Sequence, residues 1–330
     1  MTLRLHLNEN TGGCSPAVIA ALRAIDPLDV ASYPDYSEVT SACARWFGVP
    51  AEWIVLTNGL DEGLQLVAQQ ARRGRAVIVE PAFEMYAALA RGAGLDVTRV
   101  FWHPDDAFPL DSVLNVLTVE TSVVFLTDPN NPTGRPIPPG VVDRIANVAP
   151  RAYVLLDEAY AEFSGRTLIG DLLDTRRNLI IGRTFAKAFG LAGLRAGALV
   201  AHSETLGRLR CNQPPFSLNL SAVRGLTAAL EDRAWIGRYI AEVAASRELL
   251  YDFAARHGCR VWRSEANFVL IEVGPDAPAI VGALAERGIL IKDRSRQPGC
   301  DGCVRITAGI VEHTQICITA LEEILASRTR

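Results

Sequence analysis

Lys187 lies among small and apolar residues, a setting that suits a nucleophilic amine. The run RTFAKAFGLAGLRAG extends from Arg183 to Gly197. Burial among such neighbours disfavours the charged ammonium and lowers the lysine pKa. An uncharged amine can form a Schiff base with a carbonyl group. Arg195, eight residues later, is suited to binding a phosphate through paired hydrogen bonds. The segment alone leaves open a lysine that merely extends to solvent from the surface.

Two further polar clusters follow apolar runs. Asp157 and Glu158 come at the end of the run YVLL, and the turn Asp128–Gly134 follows the run VVFLT. Carboxylates at the end of a buried strand are costly unless they are paired or used. Turns at the carboxyl ends of strands are where α/β sheets bind ligands. Taken separately, a plain turn and a solvated strand end remain alternatives.

Motifs that would indicate a nucleotide or a metal are incomplete. Arg91–Val97 contains G-x-G but lacks a third glycine and follows a helical pattern, and the sequence has no P-loop motif. The seven cysteines are scattered, as expected of reduced thiols in a cytosolic protein. Cys300 and Cys303 form a single C-x-x-C without the second pair that a zinc site needs, so no metal is predicted.

The elements that must position these residues alternate through the middle of the chain, which predicts α/β layering. Strands are predicted at Ala76–Glu80, Asp96–Trp102, Ser122–Thr127, Tyr153–Asp157, Asn178–Gly182 and Gly197–Ala201, with helices at Asp61–Arg72, Met85–Arg91 and Pro139–Ala149. Unbroken apolar runs are typical of strands buried on both faces of a parallel sheet.

Both ends of the chain follow other patterns. Ser15 and Pro16 indicate the start of a helix that continues to about Ile25. Arg233–His257 predicts a long amphipathic helix. Beyond it, strands are predicted at Asn267–Val273 and Val304–Thr307, with helices at Pro278–Arg287 and Glu312–Ser327. We therefore predict a large domain over residues 31–235 and a smaller α+β domain formed by residues 236–330 with residues 1–30.

Charge and hydropathy exclude several classes of protein. Lys and Arg number 33 against 37 Asp and Glu, and the net charge of −4 argues against general nucleic-acid binding. No run approaches the roughly 18 uninterrupted apolar residues of a membrane span. Arg4, His6 and Glu9 stand where a signal peptide would need an apolar core, so a cytoplasmic protein is expected.

Taken together and in order, these segments resemble the fold type I (aspartate-aminotransferase-like) pyridoxal-phosphate aminotransferases, and most closely the histidinol-phosphate aminotransferases. The resemblance extends over nearly the whole chain. It rests on Leu7–Asn10, Ser32–Tyr36, Asn58–Glu62, Asp128–Gly134, Asp157–Tyr160, Thr184–Gly197, Ala266–Phe268 and Gly302–Thr307.

The resemblance implies roles around the ring of pyridoxal 5'-phosphate. Lys187 would hold the cofactor covalently and transfer the substrate proton. Asp157 would pair with the pyridine nitrogen and keep it protonated. Asn131 and Tyr160 would hydrogen-bond the phenolic oxygen. Phe83 would stack on the ring, where relatives often have tyrosine.

The resemblance also implies where the cofactor phosphate binds. It would lie at the N-terminus of the helix that starts near Asp61, against the backbone N–H groups of Gly59, Leu60 and Asp61. Thr184 and Arg195 would complete this site. Tyr33 would reach the phosphate in the neighbouring subunit, so a homodimer with composite active sites is expected.

On the substrate side, the resemblance implies that Arg305 binds the anion, with Lys292 in support. Asn8, Glu9 and Asn10 would lie in a segment that closes over the substrate. Relatives usually have arginine at the Lys292 position, and lysine lacks the bidentate fork; Arg294 is the residue to compensate. Ala186 stands where serine is usual before the catalytic lysine, and Gly12 and Gly13 replace bulkier loop residues.

The expected reaction converts histidinol phosphate and 2-oxoglutarate to imidazole acetol phosphate and glutamate. An aromatic or other amino-acid aminotransferase is an alternative, as is a threonine-phosphate-type decarboxylase, since reaction choice depends on which Cα bond stands perpendicular to the ring. A regulatory domain on the same scaffold should carry a DNA-binding helix-turn-helix, for which the sequence leaves no room.

Overall fold

The computed structural model describes residues 2–170 and 173–328. Its strands are β1 (Leu3–Arg4), β2 (Ile54–Asn58), β3 (Arg75–Glu80), β4 (Asp96–Phe101), β5 (Thr121–Thr127), β6 (Tyr153–Asp157), β7 (Leu179–Thr184), β8 (Ala196–Ala201), β9 (Arg260–Val261), β10 (Phe268–Glu272), β11 (Ile289–Leu290), β12 (Lys292–Asp293) and β13 (Cys303–Thr307). Its α-helices are α1 (Pro16–Arg23), α2 (Pro27–Ala31), α3 (Ser37–Phe47), α4 (Gly59–Gln70), α5 (Met85–Gly92), α6 (Leu110–Val116), α7 (Val141–Val148), α8 (Ala161–Ser164), α9 (Ser203–Arg210), α10 (Leu220–Glu231), α11 (Arg233–Arg256), α12 (Ala277–Glu286) and α13 (Val311–Arg328).

The large sheet has the strand order β2-β8-β7-β6-β5-β3-β4. Strands β3 to β7 run parallel to one another, while β8 is antiparallel to both β7 and β2. Alternate residues of one strand face opposite sides: Val77 and Val79 pack into one apolar core and Ile78 into the other. Because both faces are covered, the strands read as unbroken apolar runs. The predicted α/β fold with a mostly parallel central sheet is confirmed.

The six strands predicted for this sheet are confirmed, with ends that differ by two residues at most. The edge strand β2, which pairs with β8, is not among the predicted strands. Its residues Ile54–Asn58 form a five-residue segment that begins with a short apolar run, and such a run does not distinguish a strand from a helix. The position of β2 is decided by β8, which lies more than a hundred residues away in sequence.

A second, four-stranded sheet contains Lys292 and Arg305. It has the order β12-β13-β10-β9 and is antiparallel throughout. The N-terminal segment joins this part of the chain, since β1 pairs with β11 and Leu5 O accepts a hydrogen bond from Thr307 N (2.9 Å). These contacts bring residues 3–8 to the edge of the cavity described below. The division into residues 31–235 and 236–330 with 1–30 stays a prediction.

The predicted helices are confirmed with similarly small shifts at their ends. Ser15 caps α1 as expected, because its hydroxyl accepts from Ala17 N (3.1 Å). Within residues 2–170 and 173–328, no helix is both long and apolar enough to cross a membrane.

Candidate active site

The carboxyl ends of β5, β6 and β7 open into a cavity of about 660 Å³. At these ends lie the turn after Thr127, Asp157 and the segment that leads to Lys187. Parallel strands place their carboxyl ends at one edge of the sheet, which is where ligands bind in this class of fold. Of the predicted site residues, those that line the cavity are Asn8, Glu9, Leu60, Asp61, Phe83, Asn131, Asp157, Tyr160, Thr184, Lys187, Arg195, Lys292, Arg294 and Arg305.

Lys187 directs its amine towards the N-terminal segment. Its Nζ donates to the carbonyl oxygen of Leu7 at 2.9 Å. Burial, followed by repulsion from Arg305, lowers the pKa of Lys187 to about 8. The amine therefore loses its proton much more readily than an ordinary lysine, and the uncharged form is the one that attacks a carbonyl or takes up a proton.

Asp157 is buried at the end of β6 and its two carboxylate oxygens have different partners. Tyr86 donates to Oδ2 at 2.6 Å, and Ala159 N donates to Oδ1 at 2.9 Å. Burial raises the pKa of Asp157 to about 6, while these two hydrogen bonds act in the opposite direction. The carboxylate is thus ionised at neutral pH and held in a fixed orientation.

Tyr86 also lines the cavity, although it is not among the predicted site residues. It is 1% exposed, its ring stacks on Phe125, and its hydroxyl also contacts Thr127 Oγ1 at 2.8 Å. The available signal was its place three residues after Phe83, because a turn just before α5, in which Tyr86 N donates to Phe83 O at 3.1 Å, brings the two residues together. The Phe83 ring packs edge-on against Tyr86, 5.7 Å between centroids.

Asn131, Tyr160 and Asn8 form a polar group on the other side of Lys187. Tyr160 Oη accepts from Asn8 Nδ2 at 3.0 Å, so its own proton remains available for donation. Asn131 Oδ1 accepts from Arg305 Nη1, which leaves the Asn131 amide nitrogen as a donor. Asn8 has a φ of 56° and is held by Thr307 Oγ1, which accepts from Asn8 N at 3.1 Å.

The predicted phosphate site lies at the N-terminus of α4. The helix begins at Gly59, two residues before the predicted start. Arg195 covers this end, and its Nη2 contacts Asp61 Oδ2 at 2.6 Å. A Cβ at position 59 would lie 2.4 Å from Arg195 Nη2, so only glycine allows the guanidinium to approach the helix end so closely. Thr184 also lines this part of the cavity, and its Oγ1 accepts from Ala186 N.

The structure corrects the role given to the Gly59 backbone. Gly59 N donates to Arg195 O at 2.9 Å, so this N–H already has a partner and does not serve the phosphate. Leu60 and Asp61 belong to the first turn, where backbone N–H groups lack acceptors within the helix. The role of Gly59 is to give Arg195 space and to fix its backbone.

Arg305 lies on β13 directly opposite Lys292 on β12. It is 4% exposed, donates to Asn131 Oδ1 and to His6 O (2.8 Å), and lies over the Phe268 ring. Within the part of the chain that the structure describes, its hydrogen-bond partners are neutral. A buried guanidinium without a carboxylate partner is suited to binding an anion.

The second acid after β6 has a structural partner. Glu158 accepts from Arg183 Nη1 at 3.1 Å, and both side chains are almost fully buried. Arg183 also pairs with Glu162. Glu158 therefore does not face the cavity, and of the two adjacent acids only Asp157 is available to a ligand.

Tyr33 lies outside the cavity of its own chain. It is 77% exposed and stacks on Phe216, with 4.1 Å between ring centroids.

The pair Cys300 and Cys303 is buried at the start of β13. In the described ranges no cluster of three or more His, Cys, Asp or Glu side chains is arranged to hold a metal.

The geometry fits pyridoxal phosphate. The fixed carboxylate of Asp157 suits a ring nitrogen, and the amine of Lys187 suits an aldehyde. The close approach of Arg195 to the glycine at the start of α4 provides cationic and N–H donors for a phosphate. When bound, the cofactor supplies an electron-withdrawing ring to the substrate carbon. The fold and this site define a pyridoxal-phosphate enzyme of the fold type I class.

Comparisons with known proteins agree. The family described as aminotransferase class I and II matches residues 1–320. A histidinol-phosphate aminotransferase of Roseiflexus castenholzii is 35% identical over 98% of this chain and 89% of its own length. One from Ralstonia nicotianae is 36% identical over 98% and 89%. A solved histidinol-phosphate aminotransferase of Sinorhizobium meliloti, in complex with pyridoxal-5'-phosphate, has a TM-score of 0.89 at 27% identity, covering 98% of this chain and 91% of that one.

The chain belongs to the class I and II aminotransferases. The predicted pyridoxal-phosphate-dependent aminotransferase of fold type I is confirmed, as is its resemblance to histidinol-phosphate aminotransferases.

Proposed function

We propose that the protein transfers the amino group of histidinol phosphate to 2-oxoglutarate, giving imidazole acetol phosphate and glutamate. The observation that carries this proposal is the set of cations opposite Lys187: Lys292, Arg294 and Arg305 all line the same cavity. Such a set suits a substrate with a doubly charged phosphate. The full-length similarity to histidinol-phosphate aminotransferases supports it. The protein would then act in histidine biosynthesis, in the cytoplasm.

In this proposal the residues have separate tasks. Lys187 takes the proton from the substrate Cα as an uncharged amine and returns it after the electrons have shifted. Asp157 stabilises positive charge on the ring nitrogen. Asn131 and Tyr160 would donate to the phenolic oxygen, and Phe83 would cover one ring face. The N–H groups of Leu60 and Asp61, with Thr184 and Arg195, would hold the cofactor phosphate. Arg305, Lys292 and Asn8 orient the substrate.

An amino-donor screen tests the substrate. Histidinol phosphate is expected to react with a higher kcat/KM than phenylalanine, tyrosine or histidine, followed by stopped-flow absorbance of the bound cofactor. Lys292→Arg restores a bidentate contact and should raise kcat/KM for histidinol phosphate, mainly through a lower KM. The matched control is phenylalanine, whose kcat/KM should not rise.

Two outcomes would contradict the proposal. If phenylalanine or tyrosine outcompetes histidinol phosphate, the enzyme is an aminotransferase of different specificity. If carbon dioxide is released from phosphothreonine without formation of a 2-oxo acid, the decarboxylase alternative is correct.

We propose further that the active protein is a homodimer in which Tyr33 serves the partner's cofactor phosphate. Tyr33 and Phe216 form a stacked aromatic pair on the surface. Tyr33 is 77% exposed and Phe216 is 50% exposed. Leu28 and Val30, close to Tyr33 in the chain, are 74% and 71% exposed. Apolar side chains grouped on a surface in this way are typical of a protein interface.

Mixed dimers test the shared site. When Tyr33→Ala subunits are combined with Lys187→Ala subunits, one site of each heterodimer carries both changes and the other carries neither. About half of the wild-type activity per heterodimer is expected, whereas each variant homodimer should be strongly impaired. Heterodimers purified through two different tags and found inactive would reject a role for Tyr33 in the partner's site.

A further inference from the structure

Lys292, Arg294 and Arg305 lie on one face of the second sheet. Lys292 is opposite Arg305, and Arg294 N donates to Cys303 O at 2.9 Å, which extends the pairing beyond β12. Residues two apart in a strand face the same side. All three side chains therefore border the same cavity, opposite Lys187.

The charge of these three cations is not balanced. Among the residues that the structure describes, neither Lys292 nor Arg305 forms an ion pair with a carboxylate. Arg294 has one, Glu84, with 3.1 Å between Nη1 and Oε1. The two sides of this pair differ sharply: the Arg294 side chain is 9% exposed and that of Glu84 is 72% exposed. An ion pair with one partner in solvent is screened and contributes little free energy.

The two buried guanidinium groups, those of Arg294 and Arg305, also have unused hydrogen-bond donors. The Nε atoms of Arg294 and Arg305 are both buried and have no hydrogen-bond partner within the described residues. Burial first, and then repulsion from Arg294, lowers the pKa of Arg305 to about 9. Two desolvated guanidinium groups facing one cavity need an anion with several acceptor oxygens between them, and a single solvent-exposed carboxylate does not supply it.

We propose that Arg294 is a specificity-determining residue that joins Lys292 and Arg305 in binding the phosphate dianion of the substrate, and that Glu84 is the exchangeable counterion displaced when this phosphate binds. Glu84 lies just before α5 and borders the cavity, so it can leave Arg294 by a change of side-chain conformation alone. Phosphate presents more acceptor oxygens than a carboxylate and more charge. The inference rests on the proposed function only in naming a phosphate monoester as substrate.

The test titrates the cofactor-loaded protein with inorganic phosphate by isothermal calorimetry, so that the cofactor's own phosphate site is filled. Arg294→Gln should weaken phosphate binding about tenfold or more, as loss of a charged hydrogen-bond donor does. Glu84→Gln should act with the opposite sign and strengthen binding severalfold, because the competing carboxylate is gone. Arg294→Lys, which keeps the charge, should lie between wild type and Arg294→Gln.

Arg296→Gln is the matched control. It removes the same charge two residues further on, at an exposed position outside the cavity, and should leave phosphate binding within about twofold. With substrates, Arg294→Gln should raise KM for histidinol phosphate more than it lowers kcat and leave kcat/KM for histidinol, which lacks the phosphate, nearly unchanged.

Two results would overturn the inference. One is an Arg294→Gln protein that binds phosphate as the Arg296→Gln protein does. The other is a Glu84→Gln protein that loses phosphate affinity as Arg294→Gln does, since the pair would then be a structural support. If histidinol phosphate is not a substrate but phosphate binding still follows Arg294 and Glu84 with opposite signs, the anion site stands and the proposed function fails.

Discussion

Lys187→Ala is expected to abolish transamination, with a loss in kcat of about a thousandfold or more, because the residue both holds the cofactor and transfers the substrate proton. The variant should still fold and bind pyridoxal phosphate without a covalent link, since Asp157 and Arg195 remain. The chain has two lysines, Lys187 and Lys292, so the site of attachment can be assigned without ambiguity. Borohydride reduction followed by peptide mapping should place the cofactor on Lys187 in the wild type and in Lys292→Arg.

The lowered pKa of Lys187 adds a pH dependence to this result. The amine attacks an aldehyde only when uncharged, so the rate at which the cofactor-free protein captures pyridoxal phosphate should rise as pH increases through about 8 and level off above it. With the ordinary pKa of 10.5, the rate would continue to rise well beyond that pH. A label on Lys292, or undiminished transamination by Lys187→Ala, would contradict the assignment.

Asp157→Ala is expected to lower kcat by orders of magnitude with only a modest effect on folding. Without this carboxylate the ring nitrogen loses its proton, and the ring no longer accepts the electrons released at the substrate carbon. Steady-state kcat with the best amino donor measures the effect, and thermal unfolding of the cofactor-free protein checks the fold. Asp128→Asn is a matched control, because Asp128 follows a neighbouring strand but pairs with Arg166 and does not border the cavity.

A loss smaller than about tenfold for Asp157→Ala, equivalent to ~1.4 kcal/mol of barrier, would show that Asp157 does not stabilise the ring nitrogen. A similarly large loss in Asp128→Asn would attribute the effect to the sheet edge and not to the carboxylate.

The partners of Asp157, Lys187 and Arg294 could not be derived from the sequence. Tyr86 and Asp157 are 71 residues apart, Lys187 and Leu7 are 180 apart, and Arg294 and Glu84 are 210 apart. No local pattern encodes such pairs, because each exists only after the sheets and the N-terminal segment have packed together. The Gly59 N–H, expected to bind phosphate, is for the same reason already bonded to Arg195 O, which lies just before β8 and 136 residues further along the chain.

The sequence by itself determined six of the seven strands of the large sheet and the chemistry of the main groups. Apolar runs such as VVFLT and YVLL fix buried strands because burial on both faces leaves no polar position. The turn after Thr127, the acid Asp157 and Lys187 each follow such a run, so the topology of a parallel sheet suffices to bring them to one edge. The tertiary structure alone decided the state of these groups. It determines which carboxylate faces the cavity, which amine has a lowered pKa and which buried arginine has no carboxylate partner. Burial, long-range hydrogen bonds and the local charge balance set those properties, and all three depend on residues that are neighbours only in the folded chain.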